Sequence, residues 1–195
     1  MTMIKIYHYK HTEKQRTALE LMRDDAVYTL LFGGARSGKS RYAETLVTAI
    51  PPPWIYVATA QAGDEEMRLR IAEHQAARGQ GWSTVEAPLD LPRALLSAPG
   101  GTPILVDCIT LWLSNLMLGG RDVDASVVAL ELALKRREAS TIVVSNEVGL
   151  GIVPDTPLGR DFRDKAGVLN QRLGSLADRV IFMVAGQPMT VKGSP

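Results

Sequence analysis

The sequence predicts an α/β fold, a doubly wound and mostly parallel sheet with a C-terminal edge hairpin. Three observations predict it. A short apolar run, residues 27–32, passes through Gly33 and Gly34 into Gly38-Lys39-Ser40 and then a helix-favouring stretch, so strand, glycine-rich turn and helix follow directly. Short β-rich runs then alternate with helical patterns, the order that gives parallel strands joined by crossovers. The last two β-rich runs, 179–185 and 189–192, are separated only by Ala-free turn chemistry, Gly186-Gln187-Pro188, which suits a hairpin.

In chain order, residues 1–25 are polar and mixed, and read as an N-terminal extension of unknown role with a short helical pattern at 17–24. Residues 26–195 read as a single domain, with no internal repeat and no dividing linker. After the first strand, the first helix spans 38–49, and Pro51-Pro52-Pro53 stops it because proline lacks the N–H a helix needs. A β-rich run at 54–59 gives the second strand. Asp64, Glu65 and Glu66 lead a helix over 67–78, acids being favoured at a helix N-terminus, and Gly79 and Gly81 end it. A strand at 82–87 and a short helix at 89–98 follow, closed by Pro99-Gly100-Gly101. The strand at 103–107 is apolar until it ends on Asp107, and an apolar helix at 109–118 runs to Gly119-Gly120. An amphipathic helix at 124–138 is apolar at Val127, Val128, Leu130, Leu132 and Leu134. The strand at 141–145, a glycine- and proline-rich loop and a long helix at 158–178 complete the pattern before the hairpin.

Composition bounds the function. A chain of 195 residues, 46% hydrophobic and 22% charged, is an ordinary soluble domain large enough to bury a core. A net charge of +1 gives no bulk electrostatic pull on nucleic acid, so no nucleic-acid partner is expected. Cys108 is the only cysteine, which rules out an intramolecular disulfide and fits a reducing compartment. No apolar stretch is long enough to span a bilayer, and the start lacks the apolar region of a signal peptide. The expectation is a cytoplasmic protein with no membrane partner.

The chemistry begins at Gly33-Gly34-Ala35-Arg36-Ser37-Gly38-Lys39-Ser40, which reads G-x-x-x-x-G-K-S. Such a loop turns several backbone N–H groups onto one phosphate, and the helix N-terminus adds its dipole. Lys39 would reach the β- and γ-phosphates as a catalytic cation, and the Ser40 hydroxyl would ligate Mg²⁺. A featureless glycine-rich turn is the competing reading, and the strand and helix on either side weigh against it. Asp107, at a strand end on the same sheet edge, is the second candidate Mg²⁺ contact, although a strand-end Asp also serves plain turns. Cys108 reads as a small buried hydrophobe.

Met67, Ile71, His74 and Arg78 share one helix face, an apolar stripe that becomes His and Arg. A neutral imidazole is a competent nucleophile toward phosphorus, and an arginine one turn on could hold a phosphate. A hydrogen-bonded, half-buried histidine is the plainer alternative. The loop Asn146-Glu147-Val148-Gly149-Leu150-Gly151-Ile152-Val153-Pro154 leaves a strand at the same edge, and its amide and acid could orient a substrate hydroxyl. It could equally be an ordinary connection. Arg160, Arg163 and Asp164 fall on the first turns of the long helix, while Asn170 and Gln171 read as packing or capping groups.

These segments, with Tyr56-Val57-Ala58-Thr59-Ala60, Arg70-Ile71-x-x-His74, Trp82, Glu86, Val106-Asp107-Cys108-Ile109-Thr110 and Phe162-Arg163-Asp164, resemble one family closely over residues 30–192. It is the bifunctional adenosylcobinamide kinase/adenosylcobinamide-phosphate guanylyltransferase family of cobalamin biosynthesis. The resemblance implies a RecA-like P-loop NTPase fold and two reactions. ATP or GTP phosphorylates the aminopropanol hydroxyl of adenosylcobinamide. GTP then guanylylates a histidine, here His74, and GMP passes to adenosylcobinamide phosphate. The implied nucleotide contacts are Gly33 to Ser40, Ala58, Thr59, Ala60, Gln75, Ala76, Ala77, Arg78, Glu86 and Asp107, with Mg²⁺ at Ser40 and Asp107. The family also implies a homotrimer. From the residues alone, a small-molecule P-loop kinase without a covalent step stays open as the alternative.

Overall fold

Leu30 and Leu31 are neighbours on the first strand, yet each is buried in a different core. Successive strand residues face opposite sides of a sheet, so a run buried at both positions requires cover on both faces. The computed structural model, which describes residues 27–61 and 78–193, shows that arrangement. Its strands are β1 (Tyr28–Gly33), β2 (Trp54–Ala58), β3 (Trp82–Glu86), β4 (Ile104–Asp107), β5 (Thr141–Asn146), β6 (Arg179–Val184) and β7 (Gln187–Lys192). Its described helices are α1 (Lys39–Thr48), α2 (Leu91–Ser97), α3 (Ile109–Leu118), α4 (Val123–Lys135) and α5 (Pro157–Leu176).

The strand order is β3-β2-β4-β5-β1-β6-β7, parallel throughout except for the antiparallel β6–β7 pair. Helix α1 covers one face, where Ala43, Leu46 and Val47 pack with Leu31, Leu105, Ile142 and Ile181. Helices α2 to α5 cover the other, with Trp112, Leu113, Leu130 and Leu173 packing with Leu30, Val106 and Val143. Each fully buried leucine of this kind contributes about 1.5–3 kcal/mol of hydrophobic stabilisation before entropy is counted. Trp112 is fully buried, and its indole N–H donates to Leu89 O at 2.8 Å, so its one polar atom is satisfied. Among the described residues no helix is long and apolar enough to cross a membrane.

Several element ends differ from the sequence expectation by a few residues, each for a local reason. The long helix stops at Leu176, and Ala177 is extended. Asp178 turns back instead, and its carboxylate accepts the N–H groups of Val27 at 3.0 Å and Tyr28 at 2.8 Å, fixing the start of β1. Helix α4 ends at Lys135. Beyond it, Arg137 is buried and donates to the carbonyls of Ala98, Pro99 and Thr102. The hairpin turn is tighter than Gly186-Gln187-Pro188, because Val184 already pairs with Gln187 and only Ala185 and Gly186 lie between. Both have positive φ, 50° and 78°, the two-residue geometry whose twist matches that of paired strands. Pro188 is accommodated because β7 is the edge strand. The extension 1–25 and the helix expected at 67–78, apart from Arg78, lie outside the described residues.

The register brings the ends of five strands to one edge. Gly33 pairs with Asn146, and Ala58 pairs with Asp107 and with Glu86, while Asp107 pairs with Val144. All loops that leave these strands therefore open onto one edge of the sheet, the place where open α/β sheets take their ligands.

Candidate active site

The loop between β1 and α1 is shaped by two glycines. A Cβ on Gly33 would lie 2.6 Å from the Met183 carbonyl of the neighbouring strand, so only glycine fits there without a shift. Gly38 caps α1 at φ 90°, a left-handed conformation that costs a side-chain-bearing residue about 1–2 kcal/mol. The hairpin supports the loop from behind, since Gly186 N–H donates to Ser37 O at 3.1 Å. Lys39 is 7% exposed and its ammonium donates to Gly34 O at 2.6 Å, curling back over its own loop. Burial pulls the Lys39 ammonium below its usual value, while neighbouring Cys108 and Asp107 act against that shift. Ser37 Oγ is buried and has no hydrogen-bond partner among the described residues. An unpaired buried hydroxyl costs free energy, and a phosphate oxygen would relieve it.

A cleft of about 860 Å³ opens over this loop. Its wall includes Ala35 to Arg41 from the loop and α1, Tyr56, Ala58, Ala60 and Arg78 from the β2 side, and Asp107. Cys108, then Thr110, Leu111 and Ser114 on α3, Val144 and Asn146 on β5, Glu147 and Val148 just after it, and Phe162 on α5 complete it. The cations Arg36, Lys39, Arg41 and Arg78 outnumber the carboxylates Asp107 and Glu147, so the lining favours an anion.

Asp107 is held from the β2 side, where Tyr56 OH donates to Oδ2 at 3.1 Å. The Arg78 guanidinium lies over the Tyr56 ring, 3.6 Å from its centroid, a cation–π stack that fixes its position. Burial first and the Asp107 carboxylate second raise the Tyr56 hydroxyl well above its usual value, so it remains a donor. Among the described residues Arg78 Nη1 is buried without a hydrogen-bond partner, like Ser37 Oγ, and a phosphate oxygen would satisfy it.

The turn after β4 is braced by Thr59. Its hydroxyl donates to Cys108 O at 2.7 Å and accepts Cys108 N–H at 2.9 Å, and Thr59 itself is fully buried. Asn115 on α3 donates to Thr59 O at 2.8 Å and Pro88 O at 3.0 Å, so it ties the loops after β2 and β3 together. Cys108 is buried as expected, and that burial, followed by nearby Asp107, raises its thiol above the usual value. Its Sγ meets Thr110 Oγ1 at 3.2 Å, and the Asn146 amide donates to that same hydroxyl at 2.7 Å.

The predicted residues therefore separate into groups. Ala35 to Ser40, Ala58, Ala60, Arg78 and Asp107 line one cleft, and Gly33 and Gly34 lead into it. Thr59 sits behind the wall, and Glu86 is exposed at the end of the edge strand β3, opposite Ala58 in register but not among the lining groups. His74, Gln75, Ala76 and Ala77 lie outside the described residues. Tyr56 was not singled out as a site residue from the sequence. The available signal was that a tyrosine in a buried strand must pair its hydroxyl, and the acid closing the adjacent strand is the nearest acceptor. For Mg²⁺, the described residues hold no cluster of three or more His, Cys, Asp or Glu ligands. Ser40 and Asp107 in one cleft instead fit an ion held by few protein groups plus phosphates and water, which is how magnesium is commonly bound.

Comparison with known proteins agrees with this architecture. Among solved structures, a Pyrococcus horikoshii OT3 protein superposes with a TM-score of 0.54 at 10% identity, covering 93% of each chain. A prototypical ATPase of the type III secretion system of pathogenic bacteria gives a TM-score of 0.51 at 12% identity, over 80% of this chain and 51% of that one. At such identities the likeness is one of fold. In sequence, the chain is 49% identical over 169 residues to the bifunctional adenosylcobalamin biosynthesis protein CobP of Pseudomonas aeruginosa, covering 85% of this chain and 98% of that protein. It is 41% identical over 180 residues to the bifunctional adenosylcobalamin biosynthesis protein CobU of Salmonella typhimurium, covering 84% and 98%. The Escherichia coli protein of the same description is 37% identical over 179 residues, with the same coverage. The sequence model of the family described as cobinamide kinase / cobinamide phosphate guanyltransferase matches residues 29–191. The chain belongs to that family.

Proposed function

We propose that this single cleft performs both reactions of the family, with the phosphate-binding loop holding the nucleotide in each and His74 carrying GMP between GTP and cobinamide phosphate. The observation that carries the reading is the convergence of Lys39, Asp107 and Arg78 on one cleft in which, among the described residues, Ser37 Oγ and Arg78 Nη1 are buried without partners. Two orphaned donors beside a glycine-rich loop suit a polyphosphate. In the kinase half, Lys39 leaves Gly34 O for the β- and γ-phosphate oxygens and offsets charge as the γ-phosphoryl group departs. In the transferase half, the His74 imidazole attacks the α-phosphorus, pyrophosphate leaves, and the phosphoramidate then passes GMP to the phosphate of the acceptor. Arg78, stacked on Tyr56, is placed to hold the phosphate under attack. Ser40 and Asp107 would hold Mg²⁺, which supplies charge neutralisation at the leaving phosphates when bound.

The chain on either side of His74 supports its part in this reading, because Ala60 before the undescribed segment and Arg78 after it both line the cleft. Residues 26–195 are read as the catalytic domain, in the cytoplasm, acting on small molecules rather than nucleic acid and assembling as a homotrimer. The test is incubation with GTP labelled at the α-phosphate. An acid-labile, alkali-stable protein adduct is expected, and it should vanish in His74→Ala. Active wild-type enzyme that forms no adduct would leave a plain P-loop kinase without a covalent step.

A further inference from the structure

We propose that Glu147 is the general base of the kinase reaction, a role that rests on the kinase reading of the cleft given above. Its backbone N–H donates to Gly33 O at 2.9 Å, which fixes the residue to the first position of the phosphate-binding loop. The side chain is fixed as well, because Oε1 accepts the Gly149 N–H at 2.6 Å. A Cβ at Gly149 would lie 3.0 Å from that oxygen, so the glycine leaves the carboxylate room to settle there. No other hydrogen bond or ion pair engages Glu147 among the described residues, so Oε2 carries none, and the residue lines the cleft. A base needs this combination of a held position and an available lone pair.

The other carboxylate of the cleft is differently placed. Asp107 already accepts the Tyr56 hydroxyl and lies beside Lys39, on the side suited to phosphates and Mg²⁺. Glu147 instead neighbours apolar groups. Val148, next in the chain, and Phe162 line the same cleft, and the loop leaving Glu147 exposes Leu150 by 81% and Ile152 by 96%. Apolar side chains on the loop that also carries a carboxylate suit a bulky acceptor that presents one hydroxyl, and they offer nothing to a triphosphate. Far along that loop, Arg160 donates to the carbonyls of Pro154 at 3.0 Å and Asp155 at 2.8 Å, which anchors its return to α5.

In the step itself, the acceptor O–H bond breaks and its proton passes to Glu147 Oε2. The oxygen forms a bond to the γ-phosphorus, the bond from that phosphorus to the bridging oxygen breaks, and the nucleoside diphosphate leaves with the electron pair. Glu147 then returns the proton to water.

Glu147→Gln retains an oxygen for the Gly149 N–H and removes the base. With cobinamide as acceptor, its kinase kcat should fall by about 10²–10⁴-fold. KM for cobinamide and the affinity for a fluorescent nucleotide analogue should stay within about threefold of wild type, a split that separates chemistry from binding. Glu147→Asp, which keeps a carboxylate, should recover at least about tenfold over Gln in kcat. A Gln variant as active as wild type would overturn the proposal, and so would a loss matched by lost nucleotide affinity, which would assign the residue to loop folding. Wild-type enzyme that phosphorylates no cobinamide would instead overturn the underlying kinase reading.

Discussion

Asp107 and Tyr56 show how far a single hydroxyl reaches into the chemistry of the site. The strand that ends on Asp107 delivers a carboxylate to the sheet edge, but the direction of that carboxylate is set by a tyrosine one strand away. Tyr56 also carries Arg78 on its ring, so one side chain orients a candidate metal contact and a candidate phosphate clamp. Tyr56→Phe keeps the stack and deletes the hydrogen bond. A bond to a charged group is worth about 1.5–3 kcal/mol when fully buried, and Asp107 is only half-buried, so a loss of roughly tenfold in kinase kcat/KM is expected. The check is steady-state kinetics across a Mg²⁺ titration, where the variant should require more Mg²⁺ for half-maximal rate. An unchanged Mg²⁺ requirement would remove Asp107 orientation from the account. At this scale motif and context pointed to Lys39, Ser40 and Asp107, which share one cleft, whereas Tyr56 and Thr59 act through contacts 51 and 49 residues away in the chain. Such pairings become visible only when the strand order is known.

At the scale of elements, the two long helices on one face are locked by an ion pair. Arg172 on α5 donates from Nε at 2.7 Å and from Nη2 at 2.9 Å to the two oxygens of Glu131 on α4. This forked pair first and the burial that opposes it second leave the Glu131 carboxyl below the usual range, because the hydrogen bonds favour its ionised form. A carboxyl depressed in the folded state adds stability above its unfolded pKa, and that stability disappears as pH falls through the folded value. Glu131→Gln should therefore cost about 0.5–1 kcal/mol at pH 7 and close to nothing below the carboxylate range, as read by urea unfolding at both pH values. A deficit that persists in acid would point to packing. The described helices were legible from periodicity, and the strands from their apolar runs. Ends were less so, because Asp178 and Arg137 stop their helices by reaching backbone groups of distant segments. The turn at Ala185-Gly186 was displaced by one residue for a related reason, since its register is set by pairing with β6.

For the whole molecule, the sheet order brings separate loops to one edge, and the chemistry follows from that convergence. The phosphate-binding loop follows β1, Asp107 closes β4, and Glu147 follows β5, which lies between them. Under the proposal of a single cleft, kinase and guanylyl transfer use one nucleotide pocket, with attack at different phosphorus atoms. The measurement that tests this most directly is competition by an ATP analogue that cannot transfer its γ-phosphoryl group. Its inhibition constant should agree within about threefold whether the readout is cobinamide phosphorylation or formation of the GMP–protein adduct, because two reactions at one pocket share one competitor. Adduct formation that proceeds unchanged at analogue concentrations abolishing phosphorylation would contradict the single cleft.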